Sequence, residues 1–157
     1  MKVTMYLTLL ISLTFLASCG DKFKFEDHQS TGDAKQWKQE KTFSFSPKIE
    51  DINQKYQIIL AFRHVMGFQL RTVPVEIKTI DPDGIQTTTP FTITVFNDKN
   101  ECLSECAGDY CDLESVIEDN YSFSKKGNYT FEVKHTSSIS AIPNVLELGL
   151  IVKPVKK

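Results

Sequence analysis

The sequence predicts an all-β protein, an antiparallel β-sandwich of about seven strands preceded by a lipid-anchored tether. Two observations carry the prediction. Apolar residues recur with period two in segment after segment, and turn-forming Gly, Pro and Asp residues separate those segments. Successive strand side chains point to opposite faces, so each segment offers one apolar face to a core and one wet face to solvent.

In chain order, residues 1–18 hold one cation, Lys2, then an uncharged apolar run from Val3 to Leu16. That is the pattern of a signal peptide, too short to remain as a membrane helix. Leu16, Ala17, Ser18 and Cys19 resemble the lipobox of bacterial lipoproteins. The resemblance implies cleavage before Cys19 and a diacylglycerol on its thiol, and two or three acyl chains are enough to hold a soluble domain on a bilayer. Residues 19–36 mix Gly, Ser, Asp and Lys and read as anchor and tether. Phe23 and Phe25 within them are spaced to add an edge strand. The sandwich domain is expected over 37–157.

Within that domain the period-two segments are Phe43 and Phe45; Tyr56, Ile58, Leu60 and Phe62; and Val73, Val75 and Ile77. Phe91, Ile93 and Val95 follow, then Tyr129, Phe131 and Val133, and Leu146, Leu148, Leu150 and Val152. DPDG at 81–84 and KKGN at 125–128 are turn signals. Pro74 and Pro90 cannot donate to a ladder, which predicts edge strands or strand starts. Only LESVIEDN, 113–120, has the apolar spacing of a helical turn, and it is too short to stand alone. After cleavage 157 − 18 = 139 residues remain, enough for one core. The charges are interspersed, with no basic stripe, which excludes nucleic acid as a partner.

Three of the four cysteines lie in CLSECAGDYCD, 102–112. A secreted chain favours disulfides, and the C-x3-C-x4-C spacing does not suit zinc. Cys106 and Cys111, flanking the pliable AGDY, are the preferred pair, leaving Cys102 buried or bonded to another chain. Asp109, Asp112 and Glu114 lack the ligand count of a calcium loop and read as solvated acids. His64 and His135, at strand ends, read as hydrogen-bonded structural residues, since no nucleophile motif accompanies them. Trp37 reads as a core plug or lid. Neither a catalytic residue nor a cofactor other than the lipid on Cys19 is expected.

The order of these features resembles the GldH family of gliding-motility lipoproteins from Bacteroidetes. The matching pieces are the lipobox, FED (Phe25–Asp27), Trp37, FSF (Phe43–Phe45), Ile49 and Asp51, and Tyr56 opening a strand that ends in Arg63 and His64. They continue with PDG (Pro82–Gly84), the Cys-rich loop, G-x-YTF (Gly127–Phe131) with His135, and NVLELGLIV at 144–152. The chain differs from the family pattern in GFQLRTVPVEI, 67–77, and at Thr136 and Ser137. The resemblance implies a non-enzymatic accessory component of the gliding-motility and type IX secretion machinery. It would be anchored at the periplasmic face of the outer membrane and act by contacts with other envelope proteins. An interaction loop is expected at Gly108, Asp109, Tyr110 and Asp112 together with Trp37. The alternative is a glycan-binding lipoprotein, which requires Trp37, Tyr110 or Tyr121 to form an exposed platform. The oligomeric state is left open.

Overall fold

The computed structural model describes residues 24–155, so the signal peptide, the lipobox and Cys19 lie outside the described residues. Among the described residues thirteen strands form, of which the first seven are β1 (Phe25–Ser30), β2 (Gln36–Lys38), β3 (Phe43–Phe45), β4 (Lys48–Ile49), β5 (Tyr56–Val65), β6 (Thr72–Ile80) and β7 (Gln86–Thr94). The remainder are β8 (Glu105–Ala107), β9 (Tyr110–Tyr121), β10 (Gly127–Asn128), β11 (Thr130–His135), β12 (Ala141–Pro143) and β13 (Val145–Pro154). A five-stranded sheet, β1-β13-β5-β9-β8, packs on a four-stranded sheet, β3-β11-β6-β7, and two short ribbons, β10-β4 and β12-β2, close the ends. The paired strands are antiparallel, so the expected sandwich forms. No helix among the described residues is long and apolar enough to cross a membrane.

The core is filled by the residues the alternation selects. Leu60 and Phe62 of β5, Val73, Val75 and Ile77 of β6, Phe131 and Val133 of β11, and Leu148 and Leu150 of β13 are all buried. The outward Ile59 and Ile151 are buried too and stand opposite each other in register, which accounts for the apolar second face of β5.

Four expectations are corrected. Residues 25–30, inside the expected tether, form the edge strand that the spacing of Phe25 allowed, β1, paired with β13 from Phe25↔Val152 to Ser30↔Glu147, so the folded domain begins before Trp37. Residues 113–120 belong to the long strand β9, because pairing with β5 supplies backbone partners that a lone helical turn would lack. Pro74 sits in an interior strand, one residue beyond the last β11 partner, His135↔Val75; its carbonyl still accepts from the Thr136 N–H at 2.9 Å, but proline cannot return that bond and the β11–β6 pairing stops there. Pro90 does lie on the edge strand β7. Trp37 is wholly buried and cannot belong to an exposed interaction loop.

The registers define two poles. At the first, Phe25, Tyr56, Tyr121 and Pro154 end their strands, and Tyr56, Phe123, Tyr121 and Tyr129 join in edge-to-face contacts. The second carries the β8–β9 hairpin and the Trp37–His135 contact. The N-terminal end of the described chain enters at the first pole.

PDG and G-x-YTF, far apart in sequence, meet at that pole. Gly127 has φ +135°, and a Cβ there would stand 2.9 Å from two ring carbons of Pro82. Gly127→Ala is therefore expected to cost about 2 kcal/mol, combining backbone strain with a clash against a rigid ring. Gly84→Ala meets open space at φ +82° and should cost only the strain, about 1 kcal/mol. Urea unfolding checks this, and equal midpoints for the Gly127 variant and the wild type would refute it.

Candidate functional site

Cys106 and Cys111 face each other across the β8–β9 hairpin and are joined by a disulfide. Gly108 and Asp109 form the two-residue turn, and the positive φ of Gly108, 61°, suits a two-residue hairpin whose twist matches its strands. Cys102 is free and exposed, not buried, because its backbone makes only an isolated bridge to Phe96 outside the sheets.

Immediately after the disulfide, Asp112 receives a two-pronged contact from Arg63 of β5, Nε to Oδ1 at 2.7 Å and a terminal guanidinium nitrogen to Oδ2 at 3.1 Å. The other terminal nitrogen reaches Glu147 at 3.2 Å. The hydrogen bond from Arg63 holds the Asp112 carboxyl below its usual range, and Asp112 in turn raises Arg63. These groups are exposed, so their pairing fixes geometry more than it adds stability. Asp112 is thus an exposed acid held in an ion pair.

His64 tightens the same corner from inside. Its Nδ1 lies 3.0 Å from the Val65 carbonyl, which can only accept, so in the neutral ring Nδ1 carries the proton and Nε2 accepts from the Ser104 hydroxyl at 2.7 Å. The Met66 N–H donates to the Asp109 carbonyl at 2.8 Å, tying the β5–β6 loop to the hairpin turn. Apolar side chains are exposed there beside the acids Glu105 and Asp109. Met66 is 56% exposed and Tyr110 50%, with Leu103 at 47% just before β8. Tyr110 also borders an open cleft of about 450 Å³ lined by Lys35, Arg63, Leu146 and Glu147. Trp37 takes no part, and Tyr121 is half-buried at the other pole, so the three aromatics form no common platform. Among the described residues no group of three or more His, Cys, Asp or Glu is placed to hold a metal.

Residues 24–152 match the family model for the GldH lipoprotein. The chain belongs to the GldH lipoprotein family. No curated protein matches it. Among solved structures, that of TmCBM61 in complex with β-1,4-galactotriose is similar at a TM-score of 0.33 and 10% identity, over 87% of this chain and 91% of that one. A likeness that loose bears on neither fold nor ligand. Membership in a lipoprotein family makes this a membrane-anchored protein of the cell envelope.

The GldH-type order of motifs gains a physical reading here. The strand-ending Arg63 and His64 serve the Cys-rich loop, Arg63 by holding Asp112 and His64 by holding Ser104. Met66 and Glu147 were not identified from sequence. Nothing in local spacing marks Met66, and Glu147 reads as an ordinary outward strand position.

His135 departs from the hydrogen-bonded role expected of it. It is 1% exposed and neither ring nitrogen has a hydrogen-bond partner among the described residues; burial outweighs the nearby Trp37 backbone, which favours the charged ring. Burial therefore lowers its pKa from the ordinary 6.5. The unfolded chain then binds the proton first, so stability is fully present above about pH 6.5 and declines below it, by up to about 1.4 kcal/mol per pH unit. Urea titrations from pH 7.5 to 5 should show that decline in the wild type and its loss in His135→Leu. Parallel curves would contradict it.

Proposed function

We propose that this GldH-family chain is a non-enzymatic accessory component of the gliding-motility and type IX secretion machinery, acting through protein–protein contacts. A lipid on Cys19 holds the first pole at the periplasmic face of the outer membrane, and the hairpin pole faces a protein partner. The observation that carries this reading is the Met66–Tyr110 patch. It is apolar and exposed, yet it sits on a hairpin fixed by the disulfide, the Arg63–Asp112 contact and the Met66–Asp109 hydrogen bond. Preorganised aromatic surface of this kind suits a contact site, because little freedom is lost on binding. The position at the pole opposite the N-terminal entry supports it as well.

The test is cross-linking and mass spectrometry on the full-length lipidated protein in mildly solubilised envelopes of its own cells. Motility or secretion lipoproteins should be recovered in stoichiometric amounts, with cross-links from the hairpin pole. Recovery of the protein alone, from membranes that retain the machinery, would overturn the reading. A glycan role has one observation in its favour, the polar cleft beside Tyr110. Under that reading, oligosaccharide binding would survive in the purified protein and be lost in Tyr110→Ala.

A further inference from the structure

We propose that the free edge of β9 is a strand-addition site, taking an extended segment of a partner protein in which basic residues alternate with apolar ones. The site runs along one flank of the sandwich and is separate from the Met66–Tyr110 patch, so its failure leaves that contact untouched.

Strand β8 covers only the start of β9. Their pairs run from Ala107↔Tyr110 to Glu105↔Asp112, and beside Leu113 to Tyr121 no strand stands on that side. In a two-residue hairpin the closing pair is hydrogen-bonded, and bonded pairs alternate from there. Tyr110 and Asp112 therefore turn their backbone groups to β8, and Glu114 and Val116 turn theirs the same way, where no partner stands. The neighbouring edge, β7 of the other sheet, is blunted. The Asp81 N–H donates to the Ile85 carbonyl and the Val95 N–H to that of Arg71, which makes Glu76↔Pro90 a non-bonded pair. The proline nitrogen thus faces outward at the middle of β7 and cannot donate. Strand β9 contains no proline.

Between these two edges the sandwich is open. A cleft of about 230 Å³ enters between the sheets, with Ile58, Ile77, Ile117 and Phe131 in its walls. Thr87 and Thr89 share a face of β7 with the buried Ile93, yet both are exposed, because the core is not closed there. Alternate side chains of a strand laid along β9 point inward over this cleft, beside Ser115 and Ile117. A register shift after Val116 bends β9, so ladder pairing is confined to Leu113–Val116 and the added segment continues over the mouth of the cleft.

Charge selects the occupant. From Glu101 to Ser124 the chain has seven acids and no lysine, arginine or histidine. Of the seven, only Asp112 is in an ion pair among the described residues, with Arg63. Asp119 is held by the Gln57 amide at 2.6 Å, and Lys55 reaches Ser122 only beyond the far end. On the four-stranded sheet, by contrast, Glu76 and Glu132 are each paired with a lysine of the adjacent strand. Outward side chains of an added strand stand beside Glu114, with Glu118 and Asp119 following, so a lysine or arginine there meets an unpaired carboxylate. A second copy of this chain does not fit. Two β9 edges would set these acids against each other, and β7 offers no donor at its centre.

The test uses the full-length lipidated protein in an uncharged detergent and a seven-residue peptide alternating lysine and valine. One control peptide has glutamate for lysine, and a second has the lysines and valines segregated into two blocks. The alternating basic peptide should bind at least about tenfold tighter than either control, weaken severalfold in ~0.5 M salt, and slow amide exchange at Glu114 and Val116. In E114Q/E118Q/D119N its affinity should fall at least about fivefold, while M66A/Y110A should bind it as the wild type does. Equal binding of the segregated peptide with unchanged exchange at Glu114 and Val116 would mean charge attraction without strand pairing and overturn the inference. No binding of the alternating peptide, or binding lost in M66A/Y110A, overturns it as well.

Discussion

Trp37→Ala is expected to remove about 3–5 kcal/mol from the free energy of unfolding, a large part of the roughly 5–15 kcal/mol typical of a domain. The indole is wholly buried, edge-to-face with Phe43 at 5.4 Å and with His135 at 5.2 Å, and its Nε1–H donates to the Lys41 carbonyl at 3.0 Å. Alanine would leave a cavity under the β2–β12 ribbon, strip one wall from an already unpartnered histidine, and orphan a carbonyl. The ribbon is held by only three register pairs, Ala141↔Lys38 to Pro143↔Gln36, so it has little independent means of staying closed. Trp37→Phe keeps an aromatic ring but loses the hydrogen bond and some volume, and should cost about 1–2 kcal/mol. Denaturant unfolding of the two variants measures both values. A wild-type midpoint for Trp37→Ala would mean that the indole is not part of the core and would reopen its role as a binding platform.

The paired substitution of Met66 and Tyr110 by alanine is expected to weaken partner capture about 30-fold or more while leaving the fold intact. Aromatic anchors at the centre of a contact commonly contribute about 2 kcal/mol or more each, and 1.4 kcal/mol is a factor of ten. Both side chains are at least half exposed, and the bond that ties the loops together runs from the Met66 backbone, so truncating the side chains leaves it in place. Unfolding midpoints should therefore move by less than about 0.5 kcal/mol. Pull-down yield of the envelope partners, quantified against wild type in the same membranes, is the readout. Unchanged yield with an unchanged fold would remove the hairpin pole from the contact and direct attention to other surfaces. Loss of yield accompanied by a lowered midpoint would show instead that the two side chains support the fold.

Much of the fold was legible because a sandwich core selects one face of every strand. Phe43, Leu60, Val75, Phe131 and Leu150 are apolar at every second position for that reason, and each is buried. Strand β9 was missed because its faces are less distinct. Val116 points outward at 45% exposure while Leu113 and Ile117 turn inward, and that mixture imitates a helical spacing until β5 supplies a ladder. Strand β1 was only half visible, since its single apolar member with a strand partner is Phe25, and its order comes from backbone pairing with β13 rather than from burial. The Cys-rich loop was legible as a staple from compartment and spacing. Its surroundings were not, because Arg63, Ser104 and Glu147 reach it from segments that are distant in sequence.

By itself the sequence determined the family, the all-β class and the identity of most core residues, since periodicity and motif order are local properties written directly into the chain. Only the tertiary structure decided that Trp37 lies wholly buried in the core, that His135 is buried with no hydrogen-bond partner for its ring nitrogens among the described residues, and that Gly127 meets Pro82. Each of these depends on which strands pair and in what register, and in an antiparallel sandwich most pairings join residues far apart along the chain. Local patterning fixes which face of a strand is buried, but it carries no record of what stands opposite.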